Sequence, residues 1–337
     1  MNRPPRVSVV IPTFQRAAMV QRALHALSRQ TLDPCAYEVI ICIDGSEDGS
    51  REMVASLAAP YALRALWQPH AGRAAACNTA LRAANGELVV LLDDDMEPEP
   101  GFLAAHVRAQ ASATDLAVLG AVPVRLDPTS PLVVRYIGNK FNGHLAKLAQ
   151  PGYHLRLRDF YSGNCSIRRD TLLRVGLFDE AFRVYGNEDL ELAVRLARGG
   201  VRIVYEPEAL AYQDYTKDFA GLARDTVAKG RTAVLLASIH PDTFRELKLS
   251  AYADEFPRWH HARAVLLHLS DRWASLPEII TRLVQLLERG HIPGLGSMYV
   301  LALDYFYWLG ARSALREQPC VRASLLRSAG PRVNAWG

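Results

Sequence analysis

The sequence predicts an α/β protein built on a mainly parallel sheet. Two observations carry that prediction. Short β-branched runs alternate with stretches of helical spacing through the N-terminal part of the chain, the pattern of strand–helix–strand crossovers. Polar clusters then fall directly after those runs, at Pro12-Thr13-Phe14, Asp44, His70 to Arg73 and Asp93 to Asp95. In open sheets of this kind ligands sit at the carboxyl ends of the strands. A site is therefore expected along that edge.

Each element follows from its residues. Val7 to Ile11 is a β-branched run stopped by Pro12, a buried strand. Ala17 to Gln30 has helical spacing through Val20, Leu24 and Leu27. Tyr37 to Ile43 is a second strand, closed by DGSEDGS. Ser50 to Leu57 reads as a helix, Leu63 to Trp67 as a short strand, and Arg73 to Ala84 as an alanine-rich helix ended by Asn85-Gly86. Leu88 to Leu92 is a strand running into three aspartates. Ala117 to Leu126 reads as another strand. The stretch Asp127 to Asp159, with Pro128, Pro131, Gly138, Gly143, Pro151 and Gly152, is expected to be a long substrate-facing loop or lid. Asn187 to Arg198 is a helix closed by Gly199-Gly200, and Val201 to Tyr205 a strand. From about Asp218 the pattern is helical. The expected division is a domain over 1–218, with halves meeting near 126, and a helical region over 219–337.

Composition narrows the function classes. Half of the 337 residues are hydrophobic and the formal net charge is only +4, which gives no nucleic-acid footprint. The five cysteines (Cys35, Cys42, Cys77, Cys165 and Cys320) are scattered with no CxxC pair, against a disulfide framework or zinc knuckle. The N-terminus has no signal-peptide apolar stretch. Met298 to Ala311 is short and interrupted by Asp304, so it reads as a buried or interfacial helix rather than a span. A cytoplasmic protein is expected. The arginines after Gly310 (Arg312, Arg316, Arg322, Arg327, Arg332) form either a solvated basic face or a peripheral contact with anionic lipid at the inner face of a membrane.

The chemistry concentrates in ELVVLLDDDMEP. Three adjacent carboxylates repel one another in a cleft, so a positive partner is expected. Strand alternation would put Asp93 and Asp95 on one side and Asp94 on the other. Oxygen ligands without cysteine or histidine nearby suit Mg²⁺ or Mn²⁺.

VSVVIPTFQR, IDGSEDGS and GRAAACNTALRAANGELVVLLDDD, followed by SGNCSIRRDTLLRVGLFDEAFRVYGNEDLELAVRL, resemble glycosyltransferase family 2 in order and spacing from about Arg6 to Thr216. The resemblance implies a GT-A fold, Rossmann-like, with a helical C-terminal extension. It implies an inverting, metal-dependent transferase that moves a sugar from a nucleotide-diphosphate donor, UDP-sugar first, to a saccharide or lipid-linked acceptor. By the same resemblance, Pro12 and Thr13 line the base and Asp44 accepts its imide N–H. Arg73 stands near the nucleotide, Asp93 and Asp94 hold the ribose or the metal's waters, and Asp95 ligates the metal, with Asp93 beside it. Asp189 of the Glu188-Asp189 pair is the general base, with Glu188 an acceptor ligand or the second choice. Gly163, Asn164 and Ser166 either face the acceptor or pack. Where many family members carry a metal-binding histidine, this chain has Gln213 and Asp214. Gln213, Asp214 or water completes the shell, with His240 a remote alternative.

Helix physics offers blander roles too: acids in a first turn suit the helix dipole, and Glu191 lies four residues before Arg195. Competing classes are a scaffold that kept the fold without catalysis and a sugar nucleotidyltransferase. The latter needs a glycine-rich loop after the first strand, where this chain has PTFQR. Ile279 to Leu287 reads as an amphipathic helix that closes the acceptor side, docks on a membrane or dimerises.

Overall fold

A computed structural model describes residues 4–251, 259–290 and 295–318. Cys320, Arg322, Arg327 and Arg332 lie outside the described residues. The strands and helices follow in chain order: β1 (Val7–Thr13), α1 (Ala17–Leu27), β2 (Tyr37–Asp44), α2 (Ser50–Ser56), β3 (Ala62–Gln68), α3 (Arg73–Ala83) and β4 (Leu88–Leu92). Then come β5 (Met96–Pro98), α4 (Phe102–Gln110), β6 (Leu116–Gly120), α5 (Leu132–Leu148), β7 (Asn164–Arg168), α6 (Arg169–Val175), α7 (Glu188–Arg198), β8 (Arg202–Glu206) and β9 (Ala211–Gln213). The last are α8 (Phe219–Ile239), α9 (Trp259–Arg272), α10 (Leu276–Arg289) and α11 (Leu295–Glu317).

Seven strands form one sheet in the order β3-β2-β1-β4-β7-β6-β8. All neighbours pair parallel except β7, which runs antiparallel to both β4 and β6. The apolar runs of β1, β2 and β4 are buried on both faces, as strands covered by crossover helices must be. Alternate residues therefore serve two cores. Val10, Ile40, Cys42, Val89 and Leu91 pack with the alanines of α3 and with Leu192 and Leu196 of α7. Val9, Ile11, Val39, Ile41 and Val90 pack with Val20, Leu24 and Leu27 of α1. A small antiparallel pair, β5 with β9, sets Met96 opposite Gln213.

The chain divides into two compact units. The first takes residues up to Asp127, Ile137–Arg183 and Glu188–Tyr215; the second takes Pro128–Tyr136, Val184–Asn187 and everything from Thr216. In the second unit α8 and α11 touch at two glycines. A β-carbon on Gly230 would lie 2.0 Å from the Tyr307 carbonyl oxygen, and one on Gly310 would lie 1.9 Å from that of Val227.

Two expectations need correction. The stretch after Asp127 is not one long loop: Leu132–Leu148 is the helix α5. Pro131 precedes its first turn, where proline does no harm. Gly138 lies inside it against the Leu126 side chain, whose Cδ2 a β-carbon there would meet at 2.8 Å. The strand expected over Ala117 to Leu126 ends at Gly120, and the backbone then pairs with the Ala211 and Gln213 amides through Ala121 and Pro123. The polar segment Asn164–Arg168, given no element from the sequence, is the strand β7 inside the sheet.

Candidate functional site

The loops after β1 and β2 clamp one another. Gln15 adopts a left-handed φ of 54°, and its amide donates to Ser46 Oγ at 2.8 Å. Asp48 Oδ2 accepts the Ala17 amide at 2.8 Å, satisfying a donor at the start of α1. Burial opposes the Asp48 charge, but hydrogen bonds from Ser50 and Ala17 outweigh it and hold the carboxyl below its ordinary range. The DGSEDGS segment thus fixes the PTFQR loop.

Asp44, at the end of β2, is buried and accepts from four groups. Gln68 Nε2 donates at 2.8 Å, the Ala71 and Gly72 amides at 2.9 Å each, and His70 Nδ1 lies 2.9 Å from Oδ2. The His70 ring stacks on exposed Phe14 with centroids 4.3 Å apart. Asp44 therefore shapes the 68–72 turn, in which His70 and Ala71 are exposed. Pro12 and Thr13 close β1 beside it, both buried.

The three aspartates separate rather than alternate, because β4 ends at Leu92 and the chain turns through Asp94 and Asp95. Asp93 Oδ1 accepts from Arg73 Nη2 at 2.6 Å. Asp94 is buried and accepts from Thr13 Oγ1 at 2.8 Å and Arg16 Nη1 at 2.9 Å. Asp95 has Arg16 at 3.6 Å and Gln213 Nε2 at 3.3 Å from Oδ2, while its Oδ1 is buried without a hydrogen-bond partner. Burial, then Asp93 and Asp94, push the Asp95 carboxyl up to about 7. Two arginines against three carboxylates leave this cluster short of positive charge.

Arg73 begins α3. Burial alone would lower its pKa, but Asp93 and Glu188 keep it well above the ordinary value. Its Nη1 donates to Ser162 Oγ at 3.0 Å and lies 3.6 Å from Glu188 Oε1. Glu188 is buried on that side. Asp189 is half-buried, and its Oδ1 accepts the Leu190 amide at 2.8 Å. The acidic pair thus divides into an acid tied to Arg73 and an acid near the surface. Asn78, one helical turn beyond Arg73, brackets Phe178 through both its amide atoms at 2.9 Å and reaches Glu180 at 2.8 Å. Glu191 makes the expected paired contact with Arg195, at 2.5 and 2.7 Å.

The acceptor-side candidates separate. Gly163 accepts the Asp93 amide at 2.9 Å, and a β-carbon there would come within 2.5 Å of Asp93 Oδ2, so only glycine leaves that carboxylate room. Asn164 is fully buried; it bonds His106 at 2.8 Å and the Ala121 and Ala209 carbonyls at 3.1 and 2.8 Å. Ser166, two residues on, meets the other nitrogen of the same histidine at 2.9 Å. Both side chains are spent inside the fold, so neither is carried further as an acceptor contact. At the Gln213-Asp214 position, Gln213 faces Asp95 while the Asp214 carboxylate pairs with exposed Arg22. His240 is buried at the C-terminal end of α8, in the other unit.

Sequence reasoning missed Arg16 and Ser162, and gave His70 no role beyond its place in a polar cluster. Arg16 left a signal: three clustered acids demand cations, and it is the cation in the loop after β1.

A sheet edge gathering these groups can now be set against known proteins. Residues 8–176 match the family model described as glycosyl transferase family 2, half of the chain. The chain belongs to glycosyl transferase family 2. Residues 143–217 of this family 2 chain also match the model described as the N-terminal domain of galactosyltransferase. Among curated relatives, a validoxylamine A glucosyltransferase of Streptomyces hygroscopicus subsp. limoneus is 30% identical over 231 residues, covering 61% of this chain and 51% of that protein. A chondroitin synthase of Escherichia coli is 27% identical over 270 residues, covering 71% and 39%. The chain spans about half the length of the first of these curated relatives. A solved mannosyltransferase of Pyrobaculum calidifontis, in complex with GDP-mannose and Mn²⁺, shares the fold with a TM-score of 0.62 at 22% identity, over 94% of this chain and 88% of that one. The GT-A fold expected from the sequence is the fold found.

Proposed function

We propose that this chain is an inverting glycosyltransferase that takes a nucleotide-diphospho-sugar, UDP-sugar first, and delivers the sugar to a hydroxyl of a saccharide or lipid-linked acceptor. The observation that carries the reading is Asp95: a buried oxygen without a partner, on a carboxyl pushed up to about 7. Among the described residues no three His, Cys, Asp or Glu side chains gather into a metal cage. The donor set fits a divalent cation, which Asp95 would hold with Asp93 near and the Gln213 amide turned to present its oxygen. Such a cation supplies Lewis-acid stabilisation of the leaving diphosphate.

The chain's own residues do the rest. Thr13 and Arg16 hold Asp94 at the sugar-nucleotide side, and Pro12, Thr13, Asp44 and the Phe14–His70 stack border the base. Arg73, fixed by Asp93 and Ser162, brings a lasting positive charge toward phosphate. Asp189 takes the proton from the acceptor hydroxyl as its oxygen bonds the anomeric carbon. The carbon–oxygen bond to the diphosphate breaks, and its electron pair leaves with the nucleotide. Attack opposite the leaving group inverts the anomeric centre.

Calorimetric titration of UDP, GDP and dTDP, each with Mn²⁺ and with chelator, tests the reading. Binding of one nucleotide only with metal is expected. Equal binding under chelator would remove the cation from the scheme, and no binding by folded protein would favour a scaffold without catalysis.

A further inference from the structure

The second unit carries a surface that the donor reading does not use. Helix α10 is amphipathic, but its apolar residues do not all face inward. Val284 is buried, whereas Ile279, Leu283 and Leu286 are 54%, 48% and 62% exposed. Their spacing of four and three residues puts them on one stripe. Trp273, in the short connection before α10, is 59% exposed as well. Arg282 and Arg289 fall three residues after Ile279 and Leu286, along one flank of the stripe. At the end of the same helix lies a cavity of about 480 Å³. Arg135 and Arg289 line it with Thr129 and Ser130; its one acid, Glu288, accepts from the Tyr299 hydroxyl at 2.6 Å.

We propose that α10 lies in the surface of an anionic phospholipid bilayer, its Ile279–Leu283–Leu286 stripe among the acyl chains and the Arg135–Arg289 cavity receiving a lipid phosphate. Fourteen residues are too short to span and suit a helix lying in the interface plane. Arginines beside such a stripe bury their stems and keep their charge at headgroup level. Tryptophan prefers the same level. Charge leans the same way: from Trp259 onward the sequence has nine arginines and no lysine against five acids, three of those arginines lying outside the described residues. A second copy of the chain fits less well. The stripe offers roughly 20 by 10 Å, on the order of 200 Å², where a stable dimer needs about 800 Å² per partner. The inference is independent of which nucleotide the first unit binds.

Flotation of the full chain with vesicles tests it, comparing phosphatidylcholine alone with phosphatidylcholine mixed with phosphatidylglycerol. The chain is expected to float with the mixed vesicles. Leu283→Glu and Leu286→Glu are each expected to lose about tenfold or more in partitioning. Arg135→Gln and Arg289→Gln should each cost about fivefold, and only on mixed vesicles. These exposed positions leave folding intact, which circular dichroism and melting check directly. A wild-type chain that stays unbound, or a Leu283→Glu variant that floats like wild type, overturns the proposal. So does light scattering that finds a wild-type dimer turned monomeric by Leu283→Glu, which would give the stripe to a second copy.

Discussion

Two buried aspartates, one in each unit, are treated in opposite ways. Asp304 of α11 sits between Arg263 at 2.6 Å and Lys248 at 2.9 Å, with Arg263 fully buried. Asp95 has two carboxylates beside it and one arginine at 3.6 Å; each acid keeps an Oδ1 without a hydrogen bond, but that of Asp304 has the Lys248 ammonium at 2.9 Å and that of Asp95 has no such cation. The first acid is neutralised inside its own unit. The second is left in deficit, and a deficit held by a folded scaffold is a demand for something from outside. The contrast separates an acid that serves stability from one that serves binding, which burial alone does not.

The largest effect expected from this contrast is in turnover. Asp189→Asn should leave nucleotide affinity unchanged and lower transfer by about 10²- to 10⁴-fold; near wild-type turnover in a coupled nucleotide-release assay would move the base to Glu188. Asp304→Ala strands buried Arg263 and should cost about 3–5 kcal/mol in urea unfolding. Asp95→Asn should do the reverse. The Asp95 pKa is raised on folding, so its charge costs stability as pH rises from the ordinary carboxylate range through about 7. The asparagine variant is expected to melt above wild type at pH 7.5, with the gap closing toward pH 5, and to lose metal-dependent nucleotide binding.

Packing sharpens the same comparison. Gly230→Ala or Gly310→Ala places a β-carbon against backbone where α8 meets α11, and should cost about 1–3 kcal/mol. Gly101→Ala, with open space around it, should change little on the same melts. The effect of His106 shows only as acid is added. Burial pushes its pKa down to about 4, so the unfolded chain takes up a proton first as pH falls below about 6.5. Stability should therefore fall from pH 6.5 toward 4, with a slope of at most about 1.4 kcal/mol per pH unit from this group. His106→Gln should flatten that part of the profile in thermal melts.

Much of the fold was legible because buried parallel strands leave a loud pattern: VSVVI, YEVIICI and LVVLL are apolar but for Ser8 and Glu38, and each runs into polar residues. β7 was silent for the opposite reason. Its Asn164 and Ser166 look like surface, and only the approach of His106 from α4 turns them into core. α5 was hidden by Gly138 and Pro131, whose meaning depends on Leu126 lying close and on the helix starting one residue later. Most of the site residues singled out from the sequence do gather, since they follow consecutive strands of one sheet edge. Asn164 does not join them, and Asp214 is paired away with Arg22.

By itself the sequence determined the family, the parallel core and the acids that carry charge, because those depend on residue type and order along the chain. Which acid is satisfied and which is left wanting was decided only in three dimensions. Arg16 goes to Asp94, Arg73 to Asp93 and Gln213 to Asp95 across separations of 78, 20 and 118 residues. The physical reason is range. Strand propensity acts over a few neighbours, whereas the energy of a carboxylate depends on every charge within several ångströms and on the water it has lost.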